Sequence, residues 1–222
     1  MSSTLLYLML SAGRALLGHV APSLRAFMID FDETGMIYTY FVYDQEINDF
    51  LFDLCTCTAA EIDLGAEYSE TYRYNETIIH LSYPEKIPFK GHLVYLRYEP
   101  DLEGQYPSVE YSQFHKKTDY LYPSLFLDMQ HALLAKVTPA LREVSMTINA
   151  EEKVIDLYFF YDGPISEQEH HLATLAARGG NRSFPDFLVR TFIERVDFPQ
   201  RIFSKSERSV YVRYEDMGLL VP

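Results

Sequence analysis

Apolar residues recur at helical spacing in two widely separated stretches of the chain. In residues 5–19 they occupy every third or fourth position, and the pattern ends before Pro22. Residues 125–137 repeat this arrangement and end before Pro139. Each stretch therefore predicts an amphipathic helix that a proline terminates.

Strand and helix patterns follow each of these helices in the same order. Residues 24–32 and 36–43 alternate and are rich in aromatic and β-branched side chains, which predicts a hairpin, and residues 144–148 and 154–161 predict a second one. A second helix comes next, with Asn48 as N-cap in one case and a Ser166–Glu169 capping box in the other. Its inner face in the first case should consist of Ile47, Phe50, Leu51, Leu54, Thr58 and Ile62. Two further strands are predicted after each helix, over residues 77–81 and 92–98 and over residues 192–196 and 210–214.

The chain repeats its own sequence across these elements. Leu16-Leu17-x-x-Val20-x-Pro22-x-Leu24-Arg25 recurs from Leu133 to Arg142, and Tyr40-Phe41-Val42-Tyr43-Asp44 recurs as Tyr158-Phe159-Phe160-Tyr161-Asp162. Tyr83-Pro84 matches Phe198-Pro199, and residues 94–99 match residues 210–215. The offset stays between 115 and 118 residues, so the chain is a tandem duplication of one module.

The order of elements predicts an α+β fold of two tandem α-β-β-α-β-β modules, with antiparallel sheets and helices packed on them. The first module is expected over residues 1–104, a linker over residues 105–123 and the second module over residues 124–222. We expect a monomer with internal pseudo-symmetry. The pattern leaves open whether the two modules share one continuous sheet.

The two modules differ in net charge. The chain carries a formal charge of −13, and residues 1–111 account for −11 of it, with 17 acidic and 6 basic side chains. An acidic surface repels phosphate, so nucleic acid is not expected as a general partner. The high apolar and aromatic content, 48% and 15%, excludes a disordered chain.

Cysteine content and hydropathy predict a cytoplasmic protein. Cys55 and Cys57 are too few for a disulfide framework and should be reduced, packed thiols. The apolar run at residues 5–10 lacks the basic segment of a signal peptide, and its helix recurs inside the chain. No stretch is long enough to span a membrane, so no membrane partner is expected.

Charged positions that the two copies share favour structural ion pairs. Arg25 and Arg97 recur as Arg142 and Arg213. Their expected partners are the equally repeated carboxylates Asp44, Glu99, Asp162 and Glu215.

The second helix differs between the copies. The outer face of the first copy's helix, with the residues flanking it, reads Glu46, Asp49, Asp53, Thr56, Ala60, Asp63 and Glu67, whereas the second copy has Glu167, His171, Thr174 and Arg178. Like charges one turn apart destabilise a helix, so an unneutralised acidic stripe suits a basic protein partner. A plain solvated helix face is the alternative. The candidate partner-binding residues are Glu46, Asp49, Asp53, Asp63 and Glu67.

No motif in the sequence indicates an enzyme. The sequence has no Gly-x-Ser-x-Gly, no glycine-rich phosphate loop and no His-Glu-x-x-His. His170 and His171 are adjacent, so they diverge by about 100° on a helix and are poorly placed to share a metal. We therefore expect no catalytic residues, no metal site and no cofactor.

The repeated segments resemble a group of small acidic bacterial proteins. The resemblance is carried by Pro22-x-Leu24-Arg25, Tyr40-Phe41-x-Tyr43-Asp44, Asp197-Phe198-Pro199 and Val210-Tyr211-x-Arg213. Proteins of this group resemble immunity proteins of polymorphic or contact-dependent toxin systems, in which a single module commonly stands alone. The resemblance implies a non-catalytic immunity protein that binds a toxin domain and occludes its active site, and the charge favours a basic toxin.

Two other classes of function remain open. The duplicated modules could form a structural or adaptor pseudo-dimer with no toxin partner. An unrecognised enzyme would require a perturbed carboxylate or histidine in a deep pocket.

Overall fold

The computed structural model describes residues 3–62, 73–102, 106, 121–203 and 208–215. The first module contains α1 (Ser3–Ala15), β1 (Leu24–Phe31), β2 (Met36–Tyr43), α2 (Asp49–Ala60), β3 (Arg73–His80) and β4 (His92–Leu96). The second contains α3 (Leu121–Leu133), β5 (Leu141–Asn149), β6 (Val154–Tyr161), α4 (Glu167–Gly179), β7 (Leu188–Arg195) and β8 (Arg208–Val212). The predicted α+β class and the tandem modules are confirmed. Because α3 begins at Leu121, it starts inside the segment expected to be the linker, and the module boundaries themselves stay a prediction.

Each module forms its own four-stranded sheet, in the order β3-β2-β1-β4 and β7-β6-β5-β8. The expectation of purely antiparallel sheets is wrong for one pairing in each module, because β2 and β3 run parallel, as do β6 and β7. The physical reason is the helix between them: α2 and α4 act as the crossover connections that a parallel pair needs. As a result β3 and β4 lie at opposite edges of the sheet and do not pair with each other.

The edge strand β3 begins at Arg73, four residues before the start that the apolar pattern predicted. Its first four residues, Arg-Tyr-Asn-Glu, are all exposed, and β7 is similarly exposed along most of its length. An edge strand requires no alternation of buried side chains, so its polar half gave no periodic signal.

Two layers of apolar side chains enclose the first sheet, because successive residues of a strand point to opposite faces. Phe27 and Ile29 face the helices and join the main core, while Ala26 and Met28 face a smaller cluster. Phe27 stacks on Phe41 with ring centroids 4.5 Å apart. The smaller cluster is closed by Ile87, Leu93, Leu96, Leu102 and Leu134.

The repeated charges form ion pairs, as predicted. Arg25 is buried and bonds Glu99 through two nitrogens, each 2.7 Å from a carboxylate oxygen. Arg97 bonds Asp44 at 2.6 Å and Glu99 at 3.2 Å. The second module repeats both arrangements with Arg142, Arg213, Asp162 and Glu215. These positions were therefore kept in both copies for the fold.

The two modules are joined by reciprocal backbone hydrogen bonds. In the segment after α1, the Gly18 N–H donates to the Val212 carbonyl, and the Val20 carbonyl accepts from Tyr214. The segment after α3 does the same with the first module, since Ala135 donates to Leu96 and Val137 accepts from Tyr98. Each module thus extends the other's edge strand, and one core cluster runs through both. The sheets remain separate, which answers the question that the sequence left open.

Equivalent residues of the two copies meet at the centre of this interface. Tyr95 and its counterpart Tyr211 stack with ring centroids 6.4 Å apart and planes 8° from parallel. Gly13 of α1 lies against Gln130 of α3, which occupies the matching position in the second copy. A residue meets its own counterpart only near a two-fold axis, so the modules are related by an internal pseudo-two-fold.

We expect the substitution Gly13→Gln to lower the free energy of unfolding by about 1–3 kcal/mol, because it overfills the helix crossing. Even a Cβ at position 13 would overlap the Gln130 amide. Chemical denaturation measures the effect. The exchange Gly13→Gln with Gln130→Gly should recover most of it, since the large and small residues then trade places. Equal stability of the single variant and the wild type would contradict tight packing at this crossing.

Candidate partner-binding surface

Local sequence determines how α2 is oriented. Its first turn is capped by Asn48, whose Oδ1 accepts from the Leu51 N–H at 2.9 Å, as predicted. The acidic Asp49 in that turn is favourable at the positive end of the helix dipole. The buried residues Leu51, Leu54, Cys55, Thr58 and Ala59 form one face and hold the helix against the sheet. The opposite face is thereby fixed toward solvent.

The solvent face of α2 and the short segment before it carry three of the five candidate carboxylates. Glu46, Asp49 and Asp53 are exposed, together with Thr56 and Ala60. Within the part of the chain that the structure describes, no lysine or arginine forms an ion pair with Glu46, Asp49 or Asp53. Asp63 and Glu67 lie outside the described residues. The role of all five in binding a partner stays a prediction.

Phe50 is not on the inner face of α2, where the sequence pattern placed it. Its side chain is 43% exposed, and its ring centroid lies 4.9 Å from that of Tyr214 in the second module. At 100° per residue, position 50 falls on the flank of the helix, roughly a quarter turn from the centre of the buried face. Tertiary contact with the other module, rather than the helix period, decides what covers it.

An open groove separates α2 from the edge strand β3. It is lined by Ile47, Phe52, Thr56, Glu76 and Ile78. Phe52 is 55% exposed, and the Thr56 hydroxyl donates to Glu76 Oε2 at 3.4 Å. At the end of the helix, the Tyr74 hydroxyl donates to the Ile62 carbonyl at 2.6 Å and fixes β3 beside it.

Sequence reasoning missed Phe52 and Glu76 as surface residues of this site. Phe52 sits on the flank of α2 opposite to Phe50, so a large apolar residue there was a signal that could have been noticed. Glu76 carried no such signal, because only the parallel pairing of β3 brings it beside the helix.

The same surface in the second module has a different charge. The strand register equates Glu76 with Thr191 and Ile78 with Ile193. On α4, His170 and His171 stand where α2 has Phe52 and Asp53, and both histidines are exposed. The second module therefore has no carboxylate at the positions that match Asp53 and Glu76. The acidic, unneutralised surface therefore belongs to the first module.

The two thiols differ in environment. Cys55 is buried as expected, 3.4 Å from the Tyr43 hydroxyl, and burial raises the pKa of its thiol to about 12. A thiol held in its protonated form is a poor nucleophile. Cys57 is exposed, so the expectation that both thiols are packed is wrong for this residue. Residues two positions apart on a helix point in nearly opposite directions, so only one of the two cysteines reaches the core.

Among the residues that the structure describes, no three His, Cys, Asp or Glu side chains are grouped so that they could hold a metal ion. No helix in the same residues is long and apolar enough to cross a membrane.

The duplication is also visible when the chain is compared with known proteins. The family model of the MafI2 immunity protein matches residues 6–99 and again residues 122–215. A sequence search among curated proteins finds no match. The two matched segments correspond to the two α-β-β-α-β-β modules, and they confirm the resemblance to immunity proteins that the repeated residues indicated. The chain therefore belongs to the MafI2 immunity protein family, with the family's module present twice in tandem.

Proposed function

We propose that this protein is a cytoplasmic, non-catalytic immunity protein that binds a basic toxin domain and covers its active site. The toxin would belong to a polymorphic or contact-dependent system. The observation that carries the proposal is the unneutralised acidic face of α2 in a chain that belongs to an immunity family. Complementary charge accelerates association and selects against wrong partners.

The first module is the binding half in this proposal. Glu46, Asp49 and Asp53 carry the electrostatic attraction, and Asp63 and Glu67 would extend it along the chain. The second module has His171 and Arg178 at the matching face and contributes by holding the first module in place. The experiment that tests the acidic face also shows whether the toxin contacts one module or both.

The test measures binding between the purified chain and the toxin domain encoded by the neighbouring gene. The double variant Asp49→Lys/Asp53→Lys should weaken binding at least about tenfold in Kd, which is about 1.4 kcal/mol. Its free energy of unfolding should fall by no more than about 2 kcal/mol, because both side chains are exposed and the main cost is a lysine at the positive end of the helix dipole. Co-expression should rescue growth with the wild type and less well with the variant.

The matched control is Glu167→Lys/His171→Lys, at the equivalent positions of α4. It should leave Kd unchanged. If the control lost binding and the α2 variant did not, the second module would be the binding half. If the wild type neither bound the toxin nor rescued growth, the adaptor alternative, in which the pseudo-dimer has no toxin partner, would replace the immunity role.

A further inference from the structure

The groove between α2 and β3 differs from the rest of the acidic surface because it is apolar at its base. Ile47 and Ile78 form the floor and pack against the main core. Phe52 forms a wall with 55% of its side chain exposed. Large apolar groups beside an open depression are the anchoring features of protein interfaces, where a partner side chain fills the space and excludes water.

Carboxylates lie in and near this apolar base. Glu76 lines the groove, Asp49 is three residues before Phe52 and neighbours it on the helix surface, and Asp53 lies on the adjoining outer face of α2. Arg73, the arginine on β3, belongs to the alternate set of residues, which points to the other face of the sheet. In the residues that the structure describes, none of these three carboxylates has a lysine or arginine within ion-pair distance.

The two modules can be compared to find which features of this groove they share and which occur only in the first. The second module keeps the floor and one wall, with Ile165, Thr174 and Ile193 in place of Ile47, Thr56 and Ile78. It lacks the other two features, because His170 replaces Phe52 and Thr191 replaces Glu76. The isoleucine floor and the threonine are therefore common to both modules, whereas the aromatic wall and the carboxylate occur only in the first copy.

We propose that this groove is the anchor point for the toxin, and that it takes an apolar side chain that has lysine or arginine residues beside it. The apolar side chain packs on Phe52 and the isoleucine floor, and the flanking cations reach Glu76, Asp49 and Asp53. Charge complementarity identifies this occupant. The acidic rim repels an acidic partner, and a basic segment without an apolar side chain would make no contact with the apolar base. The inference rests on the immunity function proposed above.

Two single variants test the anchor with residues that the chain itself uses at the same places in its second module. Phe52→His should weaken toxin binding at least tenfold, mainly through faster dissociation, because the packed anchor is lost. Glu76→Thr should slow association and reduce its dependence on salt. Binding is measured by surface plasmon resonance at pH 8, where an ordinary histidine is neutral. The control His170→Ala in the second module should change neither rate.

The outcomes distinguish this inference from the function on which it rests. If the wild-type chain does not bind the toxin, the immunity function fails. If the wild type binds and Asp49→Lys/Asp53→Lys weakens it, but Phe52→His and Glu76→Thr bind like the wild type, the groove is not the anchor and the immunity function stands. Unfolding measurements on both variants should match the wild type, since both side chains are exposed and the second module tolerates the replacements.

Discussion

Replacing Arg25 with methionine should lower the free energy of unfolding by about 3–5 kcal/mol, because it breaks a buried ion pair from one side. The Arg25 side chain is 1% exposed and bonds both oxygens of Glu99. It also donates to the Leu81 carbonyl at 2.7 Å and the Glu85 carbonyl at 2.9 Å. Methionine fills similar space, but it leaves the Glu99 charge and two carbonyls without these donors. Chemical denaturation followed by circular dichroism measures the loss.

The matched control is Arg190→Met on the edge strand β7. Arg190 also bonds a carboxylate through two nitrogens, but its side chain is 52% exposed. An exposed pair contributes at most about 1 kcal/mol, so this variant should remain close to the wild type. The double variant Arg25→Met/Glu99→Met should recover part of the loss, since no unpaired charge then remains buried. Equal losses from Arg25→Met and Arg190→Met would show that burial does not govern the pair.

Replacing Tyr95 with alanine should cost about 3–5 kcal/mol, the range for a large aromatic residue removed from a core. Tyr95 is 7% exposed and stacks on Tyr211 across the module interface. The cavity would open between the modules, so we also expect unfolding to separate into two transitions where the wild type has one. Denaturation monitored by circular dichroism and by tyrosine fluorescence detects both effects.

Phe203 offers the control for this substitution, because it is 86% exposed. Phe203→Ala should change stability by no more than about 0.5 kcal/mol. A Tyr95→Ala variant that lost stability but still unfolded in a single transition would show that the reciprocal backbone bonds alone couple the two modules.

These two predictions bear on how the acidic surface is presented. Phe50 of α2 contacts Tyr214 of the second module, and the segments after α1 and α3 each bond the other module's sheet. The second module therefore supports the helix that carries Asp49 and Asp53. Its own matching face carries His171 and Arg178 and lacks the acidic stripe.

The candidate site was predictable only in part. The period of α2 identified Asp49 and Asp53 as exposed, because a capped helix with a buried stripe has one orientation. Glu76 could not be predicted, since a strand of exposed polar residues has no apolar alternation to reveal its register. Phe50 was misassigned because its surroundings are supplied by a segment more than 150 residues away in the chain.

The duplication, the α+β class, the helix caps and the repeated ion-pair residues could all be predicted from the sequence, because each of these depends on local spacing or on self-comparison. The parallel pairing of β2 with β3, the reciprocal bonding between modules and the contact of Gly13 with Gln130 became visible only in the folded chain. Strand pairing and module docking depend on contacts between residues far apart in the chain, and the hydrophobic pattern of one segment carries no record of which distant segment it meets. The groove beside Phe52 is a product of both, since the helix period turns Phe52 outward and the parallel strand places Glu76 opposite it.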